Sequence, residues 1–370
     1  MTNTLLRVVE LGQSIWLDYI QRALLTDGTF QLMIDESGIS GVTSNPAILE
    51  KAIVEHHDYD AAIKAMSGVD GAALYEQLAV EDLRMAADLL RPIYDASQGC
   101  DGFVSLEVSP HLAYDAEATV NEARRLWSVL NRANSLIKVP ATSAGITAIR
   151  QLISEGINVN ATLLFSLQRY QEVAQAYLDG LETRAQQGKP LVNVASVASF
   201  FLSRIDTLVD SKLDALGKRE TQIQIQALRG QTAIASARMA YRAYKQLFST
   251  ERWQRLAQSG ARSQRLLWAS TSTKDPTYPD VKYVDALIGA HTINTLPIQT
   301  LEAYRDHGHP AARLEQDLDA AKDMLAGLAE LGIDLPVLTD QLEREGVQKF
   351  IVAFDKLLDN LAQRTSVPAG

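Results

Sequence analysis

Eight short apolar runs punctuate this chain, each followed by a longer amphipathic stretch. They are Ser14–Asp18, Ile39–Ser44, Gly102–Val108, Ser135–Pro140, Asn158–Phe165, Val192–Ser199, Arg265–Ser270 and His291–Leu296. Continuous apolar runs suit strands buried on both faces, as in parallel sheets. The intervening pieces read as helices. Tyr114–Leu130 starts on Asp115 as N-cap, Ser143–Glu155 stops before Gly156, and Leu167–Leu181 follows Ser166. Strand and helix alternating eight times predict an α/β fold, a single (β/α)8 TIM barrel. An open doubly wound sheet is the weaker alternative, because no run is followed by GxGxxG or GxxxxGK[ST].

Length fits a barrel with additions. A plain barrel takes roughly 250 residues, and the chain has 370. About 57 residues separate the second and third runs and about 65 the sixth and seventh. Extra helices such as Tyr75–Leu90 and Thr221–Phe248 are expected there. Beyond the eighth run, Leu314, Leu318, Leu325 and Leu328 recur at helical spacing. Leu338, Leu342, Phe350, Phe354, Leu357 and Leu361 do the same further on. The expected organisation is a barrel over 1–303 and a C-terminal helical extension over 304–370 packed on it. None of the surplus carries a residue that this reading assigns to chemistry.

Several function classes fall away. The net charge of −10 lacks the basic footprint of a nucleic-acid binder. No apolar stretch reaches transmembrane length and the first residues lack a signal-peptide pattern, so a cytoplasmic protein is expected. Cys100 is the single cysteine, and the six histidines form no HExxH motif. His56-His57 and His307-x-His309 are spaced so that they share no helical face, and read as surface features rather than metal ligands.

The carboxyl ends of barrel strands carry the chemistry, and here they hold an unusual set. Lys138 interrupts the apolar Leu136-Ile137-Lys138-Val139-Pro140. Burial disfavours an ammonium, and a neutral amine attacks ketones and aldehydes to give a Schiff base. The competing reading is a structural ion pair with Glu107 or Asp18. Those two carboxylates, closing the first run and lying near the end of the third, could divide the proton transfers such chemistry needs. Asp18 could equally cap a helix. Asn160 and Thr162 sit at alternate positions of the fifth run, on one face. Ser199 ends the sixth run, with Arg204 five residues on, and Lys274 follows the seventh. The two cations could hold a phosphate or be solvated surface charges. Asn45, behind Thr43 and Ser44, could bind a ligand or cap a turn.

Taken together, five blocks resemble the transaldolase family, in its longer bacterial branch. They are Gly41–Leu49 (GVTSNPAIL), Ser105–Pro110 (SLEVSP), Ile137–Thr142 (IKVPAT), Gly156–Ser166 (GINVNATLLFS) and Ser199–Asp206 (SFFLSRID). The late segments WASTSTKDP and INTLP are similar too. The resemblance implies an (α/β)8 barrel and no metal or organic cofactor. It implies transfer of a dihydroxyacetone unit from sedoheptulose 7-phosphate to glyceraldehyde 3-phosphate, within the pentose phosphate pathway. Lys138 matches the Schiff-base lysine and Asp18 the acid–base aspartate. Glu107 and Thr162 match the pair that positions a water. Asn45, Asn160 and Ser199 match groups binding the dihydroxyacetone part, and Arg204 a phosphate-binding arginine. A second phosphate arginine of the family has no counterpart after the seventh run, where Lys274 stands instead. Phosphorylated sugars are the expected partners, with neither nucleic acid nor membrane; monomer and homodimer both stay open.

Overall fold

The computed structural model describes residues 3–66, 68–216 and 222–366. Eight parallel strands close into a barrel in chain order: β1 (Gln13–Leu17), β2 (Ile39–Thr43), β3 (Phe103–Glu107), β4 (Ser135–Pro140), β5 (Val159–Leu164), β6 (Ser196–Phe201), β7 (Arg265–Ala269) and β8 (Thr292–Leu296). Closure joins β1 to β8 through the register Gln13 to Thr292 and Leu17 to Leu296. Nearly every strand residue is buried, which explains why the strands read as continuous apolar runs rather than alternating ones. In the motif around Gly41, the Trp16 indole fills the space of the missing side chain: a Cβ there would lie within 2.6 Å of the ring.

Expected helix starts are built as capped ends. Asp115 accepts from Ala118 N–H at 2.9 Å and Ser166 from Arg169 N–H at 3.1 Å. Gly156 closes the helix Ser143–Glu155 at φ +91°, a conformation open to glycine.

Two elements depart from expectation. The sixth strand runs from Ser196 to Phe201, not from Val192. Residues 191–194 turn instead, with Val194 N–H on the Leu191 carbonyl, and Val192 lies 47% exposed. The Asn158 side chain accepts Ala195 N–H and delivers the chain into the sheet. Ser199 therefore sits inside β6 rather than at its end. The stretch expected as Thr221–Phe248 is two helices, Gln222–Leu228 and Thr232–Leu247; Thr221 lies outside the described residues. Gly230 breaks it at φ +68°, and Asp210 accepts the Gly230 N–H at 2.8 Å.

The additions fall where the spacing puts them. Pro46–Glu55, Asp60–Ala65 and Gly71–Ala96 lie between β2 and β3. Ser203–Leu216, the two helices above and Glu251–Gln258 lie between β6 and β7. After β8 come Ile298–His307, Leu318–Glu330 and the 32-residue Leu335–Ser366. That last helix packs on Pro46–Glu55 and Gly71–Ala96 and reaches the end of β5. Among the described residues, no helix is long and apolar enough to cross a membrane.

Candidate active site

The carboxyl ends of the strands surround a cavity of about 170 Å³. Asp18, Asn45, Lys138, Thr162, Ser199, Arg204 and Lys274 line it. Glu107 and Asn160 stand immediately behind that lining. Glu107 faces the Lys138 ammonium at 3.4 Å, and Asn160 accepts from the Ser199 hydroxyl at 2.7 Å. All nine residues singled out from sequence thus meet at one end of the barrel.

Lys138 is 4% exposed and Glu107 5%. The ladder pairs them directly, β3 to β4, so both side chains share the inner face. Lys138 Nζ donates to the Ser44 carbonyl at 3.2 Å. Burial pushes the Glu107 carboxyl up to about 6, with Asp18 adding to the rise and Lys138 opposing it. Asp18 is raised as well, chiefly by burial, against the pull of Lys138 and of the Thr43 hydroxyl. Thr43 donates to Asp18 at 2.7 Å and shares a 2.6 Å contact with Thr295. The amine thus has two carboxyl groups near it, both inclined to hold a proton more firmly than a solvated acid would.

On β5 the register slips between Ala161 and Leu164, a bulge in which Leu163 takes φ +60°. A leucine with positive φ is a strained residue. Thr162 lies within the bulge, and its hydroxyl has no hydrogen-bond partner among the described residues. Ser199 and Asn160 form a fixed polar pair, extended by the Asn160 amide to Ser105 at 3.1 Å. Asn45 caps the helix Pro46–Glu55 through Ile48 N–H at 3.0 Å and also lines the cavity.

Arg204 is half-buried over the Phe201 ring, 5.5 Å from its centroid, and its Nη1 has no hydrogen-bond partner among the described residues. Burial lowers its proton affinity and Glu345 opposes that. Lys274 stands exposed at the mouth, bonded to Ser272 at 2.7 Å. Its proton affinity is lowered by partial burial and then by Arg204. Two neighbouring cations of this kind have the charge to attract an anion. The histidine pairs lie elsewhere: His57 meets Asp60 and His307 meets Asp280, each at 2.9 Å.

Among the lining residues not singled out from sequence are Thr295, Phe201 and Phe350. Thr295 could have been found, since it lies at the carboxyl end of β8. Phe201 could have been found two positions past Ser199. Phe350 had no local signal. It belongs to the last helix, is buried, and its ring centroid lies 5.6 Å from Lys138 Nζ.

A buried lysine, two buried carboxyl groups beside it and two cations at the cavity are equipment suited to a barrel enzyme that works on anionic carbonyl compounds through a Schiff base. Comparison with known proteins agrees. The profile of the transaldolase/fructose-6-phosphate aldolase family matches residues 15–361. A protein named Transaldolase 2 from Nostoc sp. strain PCC 7120 is 47% identical over 368 residues, covering 97% of both chains. A transaldolase from Thiobacillus denitrificans is 48% identical over 353 residues, 95% of this chain and 97% of its own. One from Thermobifida fusca is 45% identical over 367 residues, 98% and 99% respectively. The chain belongs to the transaldolase/fructose-6-phosphate aldolase family. It is an enzyme of the transferase type with Schiff-base chemistry, and its reaction is a transaldolase-type one in sugar-phosphate metabolism.

Proposed function

We propose that this enzyme moves a dihydroxyacetone unit from sedoheptulose 7-phosphate to glyceraldehyde 3-phosphate, giving erythrose 4-phosphate and fructose 6-phosphate in the pentose phosphate pathway. The observation that carries the proposal is Lys138, buried between Glu107 at 3.4 Å and a cavity that Asp18, Arg204 and Lys274 also line.

The Lys138 amine adds to the C2 carbonyl of the donor, and loss of water gives an iminium ion. Glu107, titrating near 6, and Thr162 hold the water that leaves and later returns. Asp18 takes the proton from the C4 hydroxyl, the C3–C4 bond breaks, and erythrose 4-phosphate departs as the aldehyde. The electron pair stays behind as the C2–C3 enamine. Attack of the enamine on the acceptor aldehyde and hydrolysis of the new iminium complete the transfer. Asn45, Asn160 and Ser199 hold the dihydroxyacetone hydroxyls. Arg204, helped by Lys274, holds the phosphate. We place this chemistry in a cytoplasmic enzyme whose barrel, 1–303, carries the reaction and whose extension, 304–370, packs over it.

Borohydride reduction in the presence of fructose 6-phosphate, followed by peptide mapping, tests the reading. The expected result is a stable adduct on Lys138. An adduct elsewhere, or none, overturns it. An aldolase that frees dihydroxyacetone without an acceptor would give the same adduct. Product analysis with and without erythrose 4-phosphate separates the two.

A further inference from the structure

The helix Leu335–Ser366 reaches the cavity with one face, on which Gly346 and Phe350 lie a turn apart. A Cβ on Gly346 would come within 3.0 Å of Leu163 Cδ2 and 3.7 Å of Arg204 Nη1. Glycine there lets the helix backbone close onto the β5 bulge. That approach sets Phe350 over the barrel mouth, 5% exposed, with Lys138 Nζ 5.6 Å from its ring centroid. Every other lining residue belongs to a strand or to the segment directly after one.

Two demands meet at this ring. The enamine left by C–C cleavage has to survive until an acceptor arrives. Its loss takes one proton at C3 and one water at C2. Protonation gives the iminium, water adds and gives up a proton, and the C2–N bond breaks to release dihydroxyacetone and the Lys138 amine. An apolar ring beside the nitrogen offers that water no hydrogen-bond partner. The same ring face attracts a positive nitrogen within about 6 Å, which suits the iminium ion.

We propose that Phe350 is a specificity-determining residue: it closes the Lys138 side of the cavity to water and so sets the ratio of transfer to hydrolysis. The proposal rests on the Schiff-base reading above. It predicts a role for this ring that its neighbour lacks. Phe354, one turn further along the helix, is absent from the cavity and instead meets the Tyr75 ring edge-on at 5.3 Å.

The experiment uses the full chain with fructose 6-phosphate as donor. Dihydroxyacetone release is measured without acceptor, and transfer is measured with erythrose 4-phosphate. In Phe350→Ala the ratio of release to transfer rises roughly tenfold. Phe350→Leu keeps apolar bulk and the fold, and its ratio rises less. Phe354→Ala keeps the wild-type ratio. No rise in either Phe350 variant overturns the proposal. So does an equal rise in Phe354→Ala, which would mean that any loosening of the helix lets water in. Failure of the wild-type chain to give a borohydride-trapped adduct on Lys138 is a different result, and overturns the Schiff-base reading itself.

Discussion

The two ends of the barrel are built from the same residue types and put them to opposite use. At the amino-terminal ends of the strands, Asp101 accepts from Trp16 Nε1 at 2.8 Å, Ser40 Oγ at 3.0 Å and Ser14 Oγ. Arg265 reaches Ser14 at 2.6 Å, the Thr292 carbonyl at 2.7 Å and Asp101 at 3.6 Å. A cavity of about 420 Å³ opens there, larger than the cavity of about 170 Å³ that Lys138 lines. Buried polar atoms without a described partner occur there too: Arg262 and Arg265 each keep one guanidinium N–H, Gln13, Asn134 and Gln264 keep an amide oxygen while their N–H groups are tied, and Ser135 keeps its hydroxyl. At the carboxyl ends, Glu107, Thr162 and Arg204 each keep buried polar atoms that no described residue satisfies. Unpaired buried polar groups are unfavourable in an empty protein. They make sense where a substrate supplies the missing partners. Unpaired atoms occur at both ends; the carboxyl end differs in leaving both oxygens of a buried carboxyl group, Glu107, without a hydrogen bond among the described residues.

Substitutions can break that contrast. The largest effect is expected for Lys138→Ala: turnover falls by roughly 10⁴-fold or more and trapping disappears, while circular dichroism shows an intact fold. Retained turnover would remove the lysine from the mechanism. Arg204→Ala comes next, with KM for phosphorylated sugars raised roughly ten- to a hundredfold and kcat changed less. Lys274→Ala follows the same pattern more weakly, because Lys274 is exposed. An unchanged KM in both would move the phosphate elsewhere.

At the opposite end the signature reverses. Asp101→Asn lowers unfolding stability by about 3 kcal/mol, since Arg265 loses its charged partner, while kcat stays near the wild-type value. Denaturant melts and steady-state kinetics on one preparation check both halves. A kcat collapse without destabilisation would erase the distinction between the ends.

The smallest effect is a pH dependence. Burial raises Glu107 from its ordinary 4.5 to about 6. Between those values the native chain holds a proton that the unfolded chain has lost. The stability contributed by that proton is complete below about 4.5 and is lost as pH rises through about 6. Glu107→Gln has no such dependence. The variant therefore gains on the wild type by about 2 kcal/mol across this window. A stability difference flat with pH would mean that Glu107 titrates as a solvated acid.

Most of this contrast is readable along the chain, for a physical reason. A lysine amid β-forming residues has nowhere to put its charge except a polar interior, so Lys138 announces itself. Strand ends in a barrel all point one way, so Asp18, Glu107, Thr162 and Arg204 can be gathered without coordinates. The start of β6 is not readable, because Val192 and Val194 look like strand residues while Asn158 draws the chain in only at Ala195. Phe350 is invisible for another reason. Its spacing from Leu342, Phe354 and Leu357 fits any packed helix face. Only the meeting of Gly346 with the bulged Leu163, far apart in the chain, brings it over the lysine.

The closure of β1 on β8 has a consequence in time. Gln13 and Thr292, hydrogen-bonded across that seam, are 279 residues apart. At roughly 5–20 residues per second of synthesis, the first strand waits about 15 seconds to a minute for its second neighbour. During that interval one edge of β1 stays unpaired, and unpaired edges recruit other strands. The ring whose finished form has no edges is therefore most exposed to misassembly while it is being made.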